Sequence, residues 1–231
     1  PSRTTRPGGV NVTVTPSPPE PDQPRRFGER FRATRVLKRG AAGETLRGID
    51  IADGQEVVIR TMPTLDASST ARLDQEMALL ARLDGTQLVR PIAAGRQGGV
   101  RYSVLPYVPG ITLEAHLSAR DGPLPVTDAL AVGRSVLTAL AEAHRHGYLH
   151  RDVRPSNIVV RPAGPAGGPL EAATLADFGV SQLRRLTGSL PESDLRTARY
   201  ASPEAAGLVA HEVEERSDLY SVGAVLFECL A

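Results

Sequence analysis

From Phe31 the chain reads as short apolar runs at 33–37, 44–49 and 56–61, separated by glycine-bearing turns such as Asp53-Gly54. That rhythm predicts an antiparallel meander. Two further strands are expected at 88–93 and 100–105, joined by a turn at Gln97-Gly98-Gly99. Between them, Leu73, Met77, Leu80 and Leu83 recur at helical spacing over 69–83, and Asp84-Gly85 ends the run. Glu76 borders this stripe, where a carboxylate needs a cationic partner unless the helix edge is solvated.

After Val108-Pro109-Gly110 the period becomes helical. Residues 127–146 place Val132, Val136, Leu140 and Ala143 on one face and close on His144, Arg145, His146 and Gly147. Cations near the negative helix end, followed by a left-handed glycine, make a consistent terminus. Ser217-Asp218 reads as the N-cap of a last helix, apolar all round and so expected to be a buried central helix. The pattern predicts an α+β protein of two lobes. These are a strand-rich small lobe at 27–107 with one key helix and a mostly helical lobe at 108–231. A flexible tail of proline, threonine, serine and arginine precedes them at 1–26.

Composition changes this picture little. With 41% hydrophobic and 23% charged residues the 231-residue chain is an ordinary globular sequence. A net charge of +1 gives no reason to expect nucleic acid or an acidic membrane as partner. The single cysteine, Cys229, cannot form an intrachain disulfide, so a reducing, cytoplasmic compartment is expected. No secretory leader is visible, and the longest apolar stretch, 219–230, is too short to span a bilayer. The chain starts at Pro1 and stops at Ala231 inside a helical run, so further domains and an incomplete second lobe are expected. Lys38 is the only lysine. Its rarity beside so much Arg, Ala, Gly and Pro points to a GC-rich bacterial genome.

The chemistry concentrates in two short segments. His150-Arg151-Asp152-Val153-Arg154-Pro155-Ser156-Asn157 puts a carboxylate and an amide five residues apart on one tight loop, with the apolar strand 158–160 behind it. A Gly/Pro-rich hairpin at 162–169 and a strand near 173–176 lead to Asp177-Phe178-Gly179. Phosphoryl transfer needs a carboxylate to position or deprotonate the attacking hydroxyl, and oxygens to hold magnesium. This pair of segments offers both.

In these motifs the chain resembles the protein kinase family, most closely its bacterial serine/threonine members, over about residues 29–231. Thr197-Ala198-Arg199-Tyr200-Ala201-Ser202-Pro203-Glu204 looks like the segment that receives the substrate, and 216–223 like the start of the family's central helix. Relatives that phosphorylate small molecules typically lack the 197–204 pattern, which favours a protein substrate. The resemblance implies Asp152 as catalytic base, Asn157 and Asp177 as magnesium ligands, Arg154 near the transferred phosphate and Thr197 supporting the loop. It places ATP against Lys38, Gly40, Gly43, Thr45, Val58, Arg60, Leu105, Val108 and Val159, with Glu76 paired to the strand cation. Arg151 beside the base implies a phosphorylation switch, with Ser189, Ser193 and Thr187 as candidate sites.

The nucleotide-binding half departs from that family's pattern. Lys38 stands at the first glycine of the glycine loop, and Thr45 at an apolar adenine contact. Val58 adds bulk over adenine; Arg60 and Arg154 replace lysines. A guanidinium keeps the charge but presents a wide planar fork, and losing one well-placed contact in a dry site costs about 3 kcal/mol of barrier. Lys38, displaced onto the glycine loop, could supply the missing ammonium. Two expectations therefore stand: an Mg-ATP-dependent serine/threonine kinase of reduced activity, or a pseudokinase serving as a regulatory or binding module in a larger signalling protein.

Overall fold

The computed structural model describes residues 25–40, 43–62, 71, 75, 89–164, 168–178 and 198–231. Strands β1 (Arg26–Phe27), β2 (Phe31–Gly40), β3 (Gly43–Asp50), β4 (Glu56–Met62), β5 (Ala93–Gln97) and β6 (Val100–Pro106) make one antiparallel sheet, ordered β1-β2-β3-β4-β6-β5. Alternation in β4 buries Val57 and Ile59, which join Phe27, Phe31, Leu46, Tyr102 and Val104 in the small core. Val58 and Arg60 are out of phase with that set and face the other side of the sheet. The pleat alone thus decides which β4 side chains a ligand could meet.

The turn between β2 and β3 depends on Gly43. Its φ is 118°, and a Cβ there would lie 2.0 Å from the Thr61 carbonyl oxygen. Only glycine lets the turn lie this close to β4.

The second lobe contains β7 (Ile111–Thr112), α1 (Leu113–Ser118), α2 (Val126–Arg145), a 3-10 turn (Pro155–Asn157), β8 (Ile158–Pro162), β9 (Leu170–Leu175) and α3 (Glu215–Leu230). Thr112 caps α1, its hydroxyl accepting the Ala115 N–H at 3.1 Å. The α2 stripe of Val132, Val136, Leu140 and Ala143 is buried with Ile158, Leu175, Val222 and Val225. Each fully buried aliphatic contributes about 1.5–3 kcal/mol, so this stripe fixes α2 against β9 and α3. Gly147, at φ 70°, follows the end of α2 as the sequence predicts. Residues 148–154 therefore run from the anchored end of α2 into the turn that starts β8.

Three expectations are corrected. The strand placed at 88–93 lies instead at Ala93–Gln97, where Ala-Ala-Gly-Arg-Gln has weak strand propensity and is held by pairing with β6. The N-cap of α3 is Glu214, whose N–H meets the Ser217 hydroxyl at 3.1 Å, and not Ser217-Asp218. Finally, α3 is not buried all round: Phe227 is 73% exposed, and Leu219, Tyr220 and Leu230 are exposed too. Of the helix expected at 69–83, Ala71 and Gln75 are helical; the remainder, Glu76 included, lies outside the described residues.

The outward apolar side chains of α3, with Leu130 and Leu137 of α2, have a measurable consequence. Exposed apolar surface promotes association, so this 231-residue chain should gain apparent mass with concentration in light scattering. Phe227→Ser with Leu230→Ser should shift it toward the monomer. A wild-type chain that stays monomeric as it is concentrated contradicts this. No helix among the described residues is long and apolar enough to cross a membrane.

Candidate active site

The loop between α2 and β8 is held from below by one carboxylate. Asp218 of α3 is 1% exposed. Its Oδ2 accepts the His150 N–H at 2.8 Å and its Oδ1 the Arg151 N–H at 2.7 Å, and His144 Nε2 sits 2.8 Å from Oδ2. Arg151 has a φ of 62°, a left-handed conformation that costs a non-glycine residue about 1–3 kcal/mol. Asp218 supplies the contacts that hold it there.

His150 joins this loop to the next strand. Its Nδ1 accepts the Asp152 N–H at 3.3 Å, so Nε2 carries the proton and donates to the Ala176 carbonyl at 2.9 Å. The ring stands edge-on to Phe178, 4.5 Å between centroids, and Phe178 is buried as the sequence predicts. Ala176 N–H in turn donates to the Asn157 carbonyl at 2.8 Å. The two chemical segments are thereby locked side by side.

Above this scaffold, Asp152 and Asn157 meet directly. Asn157 Nδ2 donates to the Asp152 carbonyl at 2.7 Å and to Asp152 Oδ2 at 2.9 Å. Both partners are acceptors, which fixes the amide's orientation and leaves Oδ1 as its free-facing oxygen. Arg154 Nε lies 3.3 Å from Asp152 Oδ1, with both side chains at most 10% exposed. The carboxylate is thus oriented from two sides, by a cation and by an amide.

Asp177 has a φ of 71° and is the second described non-glycine residue in the left-handed region. Its Oδ1 accepts a hydrogen bond from Arg60 Nη2, which joins the sheet to the second lobe. In the sheet register Lys38, Thr45, Arg60 and Ser103 stand opposite one another on β2, β3, β4 and β6. Val58 pairs with Leu105 two residues along, on the same face. Lys38 is exposed, Thr45, Val58 and Val108 are half-buried, and Leu105 is buried. Val159 is half-buried on β8, and its side chain lies beside Gly110, where an added Cβ would come within 2.9 Å of it. Gly40 ends β2 and faces Gly43 across the turn. Thr197, Ser189, Ser193, Thr187 and Glu76 lie outside the described residues.

Beside the 150–157 loop is a cavity of about 490 Å³, lined among others by Glu114, Arg154, Ser156, Arg199, Tyr200 and Glu228. Tyr200 donates its phenol to Glu228, and burial followed by that carboxylate pushes the phenol's pKa up. Ser221 holds the Tyr200 carbonyl at 2.7 Å. Glu204 accepts the Ser217 hydroxyl, which with other hydrogen bonds holds its carboxyl below the usual range. Buried Cys229 has its thiol pushed up to about 11, chiefly by burial, and so stays protonated.

A family model described as protein kinase domain matches residues 31–231. The chain belongs to the protein kinase family. Curated relatives include the probable serine/threonine-protein kinase SCO3848 of Streptomyces coelicolor, 31% identical over 90% of this chain and 31% of that protein. Serine/threonine-protein kinase PrkC of Bacillus subtilis is 30% identical over 89% of this chain and 31% of that protein. PknL of Mycobacterium tuberculosis is 33% identical over 87% of this chain and 49% of that protein. The chain therefore spans about a third to a half of these relatives. Among solved structures, the Mycobacterium tuberculosis PknI kinase domain superposes with a TM-score of 0.67 at 26% identity, covering 88% of this chain and 74% of that one. The two-lobed architecture is the protein kinase fold.

Within this kinase-family site, the sequence reading missed what Asp218 does. Ser217-Asp218 looks like a helix cap, and only the fold brings that carboxylate under His150 and Arg151. Nothing in the sequence marks Tyr200 and Glu228, 28 residues apart, as a pair.

Proposed function

We propose that this chain is the catalytic domain of a serine/threonine protein kinase that transfers the γ-phosphoryl group of ATP to a protein hydroxyl. The observation that carries the reading is Asp152, a carboxylate held by Arg154 and Asn157 on a loop pinned from beneath. Asp152 accepts the proton of the attacking hydroxyl. Arg154 orients Asp152 and adds positive charge beside the departing phosphoryl group. Val58, Leu105, Val108 and Val159 would line the adenine, and Lys38, Gly40, Gly43 and Thr45 would serve the phosphates. Thr197 is a further residue proposed to contribute to transfer.

The donors fit magnesium in part. Asn157 presents an amide oxygen and Asp177 a carboxylate, which suits an ion that takes one or two protein ligands and completes its shell with phosphate and water. Bound magnesium neutralises charge on the phosphates. The names of the relatives support a serine or threonine acceptor. The single buried cysteine suits a cytoplasmic domain.

Incubation with labelled Mg-ATP and a mixed protein acceptor tests this. Acid-stable phosphoserine or phosphothreonine formation supports the kinase. The contact of Arg60 with Asp177 favours a second reading, a kinase-shaped binding module, and absence of label would select it.

The departures in the sheet predict that nucleotide binding limits activity. Val58→Ala with Arg60→Lys should tighten Mg-ATP binding by about tenfold or more, each change restoring about 1 kcal/mol. Calorimetry reads this directly; unchanged affinity means either that this strand is misaligned with the family's or that Arg60 already works in a remodelled site. Ser189, Ser193 and Thr187 are proposed phosphorylation sites for a switch read by Arg151. Mass spectrometry after incubation with ATP should find phosphate on one of them; three unmodified residues reject the switch.

A further inference from the structure

The contact between Arg60 and Asp177 bears on how the site binds its ligand. A divalent cation in a phosphoryl-transfer site bridges a carboxylate and the phosphate oxygens. Arg60 already occupies the carboxylate end of that bridge, with Nη2 on Asp177 Oδ1. A guanidinium has five N–H donors in a rigid fork, so one donated to Asp177 leaves others for phosphate. Lysine, a single ammonium, cannot span two anions with the same fixed geometry.

Three further observations make this more than a surface ion pair. The Arg60 and Asp177 side chains are 16% and 25% exposed, so the pair is screened less than one in open water. Asp177 is fixed in a left-handed backbone conformation between Ala176, bonded to His150, and buried Phe178. Its carboxylate is therefore aimed at Arg60 by the fold. The other proposed metal ligand, Asn157, is neutral, and the nearby carboxylate of Asp152 already receives Asn157 Nδ2 and faces Arg154. Magnesium is reluctant to shed water and is usually held through a carboxylate. It must compete with Arg60 for the one it would use.

We infer that Arg60 stands in for the divalent cation at Asp177, and that the site binds a nucleoside triphosphate without needing a metal. The inference rests on the nucleotide site of the proposed function. Phosphoryl transfer then requires Arg60 to release Asp177.

Calorimetric titration with ATP, in excess EDTA and in excess Mg²⁺, tests it on the wild-type chain, Arg60→Lys and Asp177→Asn. The wild-type Kd should agree within about threefold between the two conditions. Arg60→Lys should bind at least about tenfold more weakly in EDTA than in Mg²⁺. Asp177→Asn should keep its binding in EDTA, because Arg60 still serves the phosphates. Binding that depends on metal as strongly in the wild type as in Arg60→Lys overturns the inference and leaves the nucleotide site standing. No ATP binding by any of the proteins in either condition overturns both. Melting curves identify a variant that fails to fold; the wild-type dependence on metal then decides alone, a loss of about tenfold or more in EDTA overturning the inference.

Discussion

Asp152→Asn should lower phosphoryl transfer at least about a hundredfold while leaving the melting temperature within a few degrees of the wild type. The amide has the shape of the carboxylate but cannot accept the hydroxyl proton. Its carbonyl oxygen can still receive the Asn157 Nδ2 bond now made at 2.9 Å to Oδ2. The contact with Arg154, 3.3 Å from Oδ1, becomes charge to dipole, and this is the main cost to stability. Chemistry and folding therefore separate at this position. Steady-state rates with saturating Mg-ATP, set beside a thermal melt, make the comparison. Turnover equal to the wild type removes Asp152 from the mechanism, and a collapsed melt means that the charge was structural.

Asp218→Ala should cost more in stability than a typical core truncation. Removing one side of a buried charged network costs about 3–5 kcal/mol, because buried partners, here above all the His150 N–H, are left without an acceptor. Here the partners are the His150 and Arg151 N–H groups and His144. For a domain of this size each kcal/mol lowers the melting temperature by about 2–4 °C, so a fall of roughly 10 °C is expected. Phosphoryl transfer should fall with it, since Arg151 loses what holds its φ at 62°. A melting temperature unchanged within about 2 °C means that water reaches the loop and replaces the carboxylate.

The elements and the chemical segments were largely legible in the sequence. Strands 44–49 and 56–61, helix 127–146 and the strand after Asn157 all lie where periodicity put them, because their apolar spacing is what packs them. The β5 strand was misplaced because its five residues carry no strand signal of their own; pairing with β6 makes it a strand. Asp152 and Asn157 could be paired by spacing alone, since five residues through a 3-10 turn bring them together. Asp218 could not, because its role depends on how α3 docks and not on its neighbours in the chain. Arg60 was expected to serve Glu76 and the phosphates; its contact with Asp177, 117 positions away, is a property of how the two lobes meet.

The support under the 150–157 loop also sets an order on assembly. The N–H groups of His150 and Arg151 are satisfied by a carboxylate 68 and 67 positions further along the chain. A chain emerging from the ribosome displays the loop residues well before it displays Asp218. At about 5–20 residues per second that interval lasts several seconds, during which the loop lacks its anchor and Arg151 has little reason to stay left-handed. The small-lobe sheet, whose strands are all made by residue 106, has no such wait. A nascent chain can therefore form its small-lobe sheet while the 150–157 loop still waits for its anchor, and the loop geometry described here is reached only once α3 has docked.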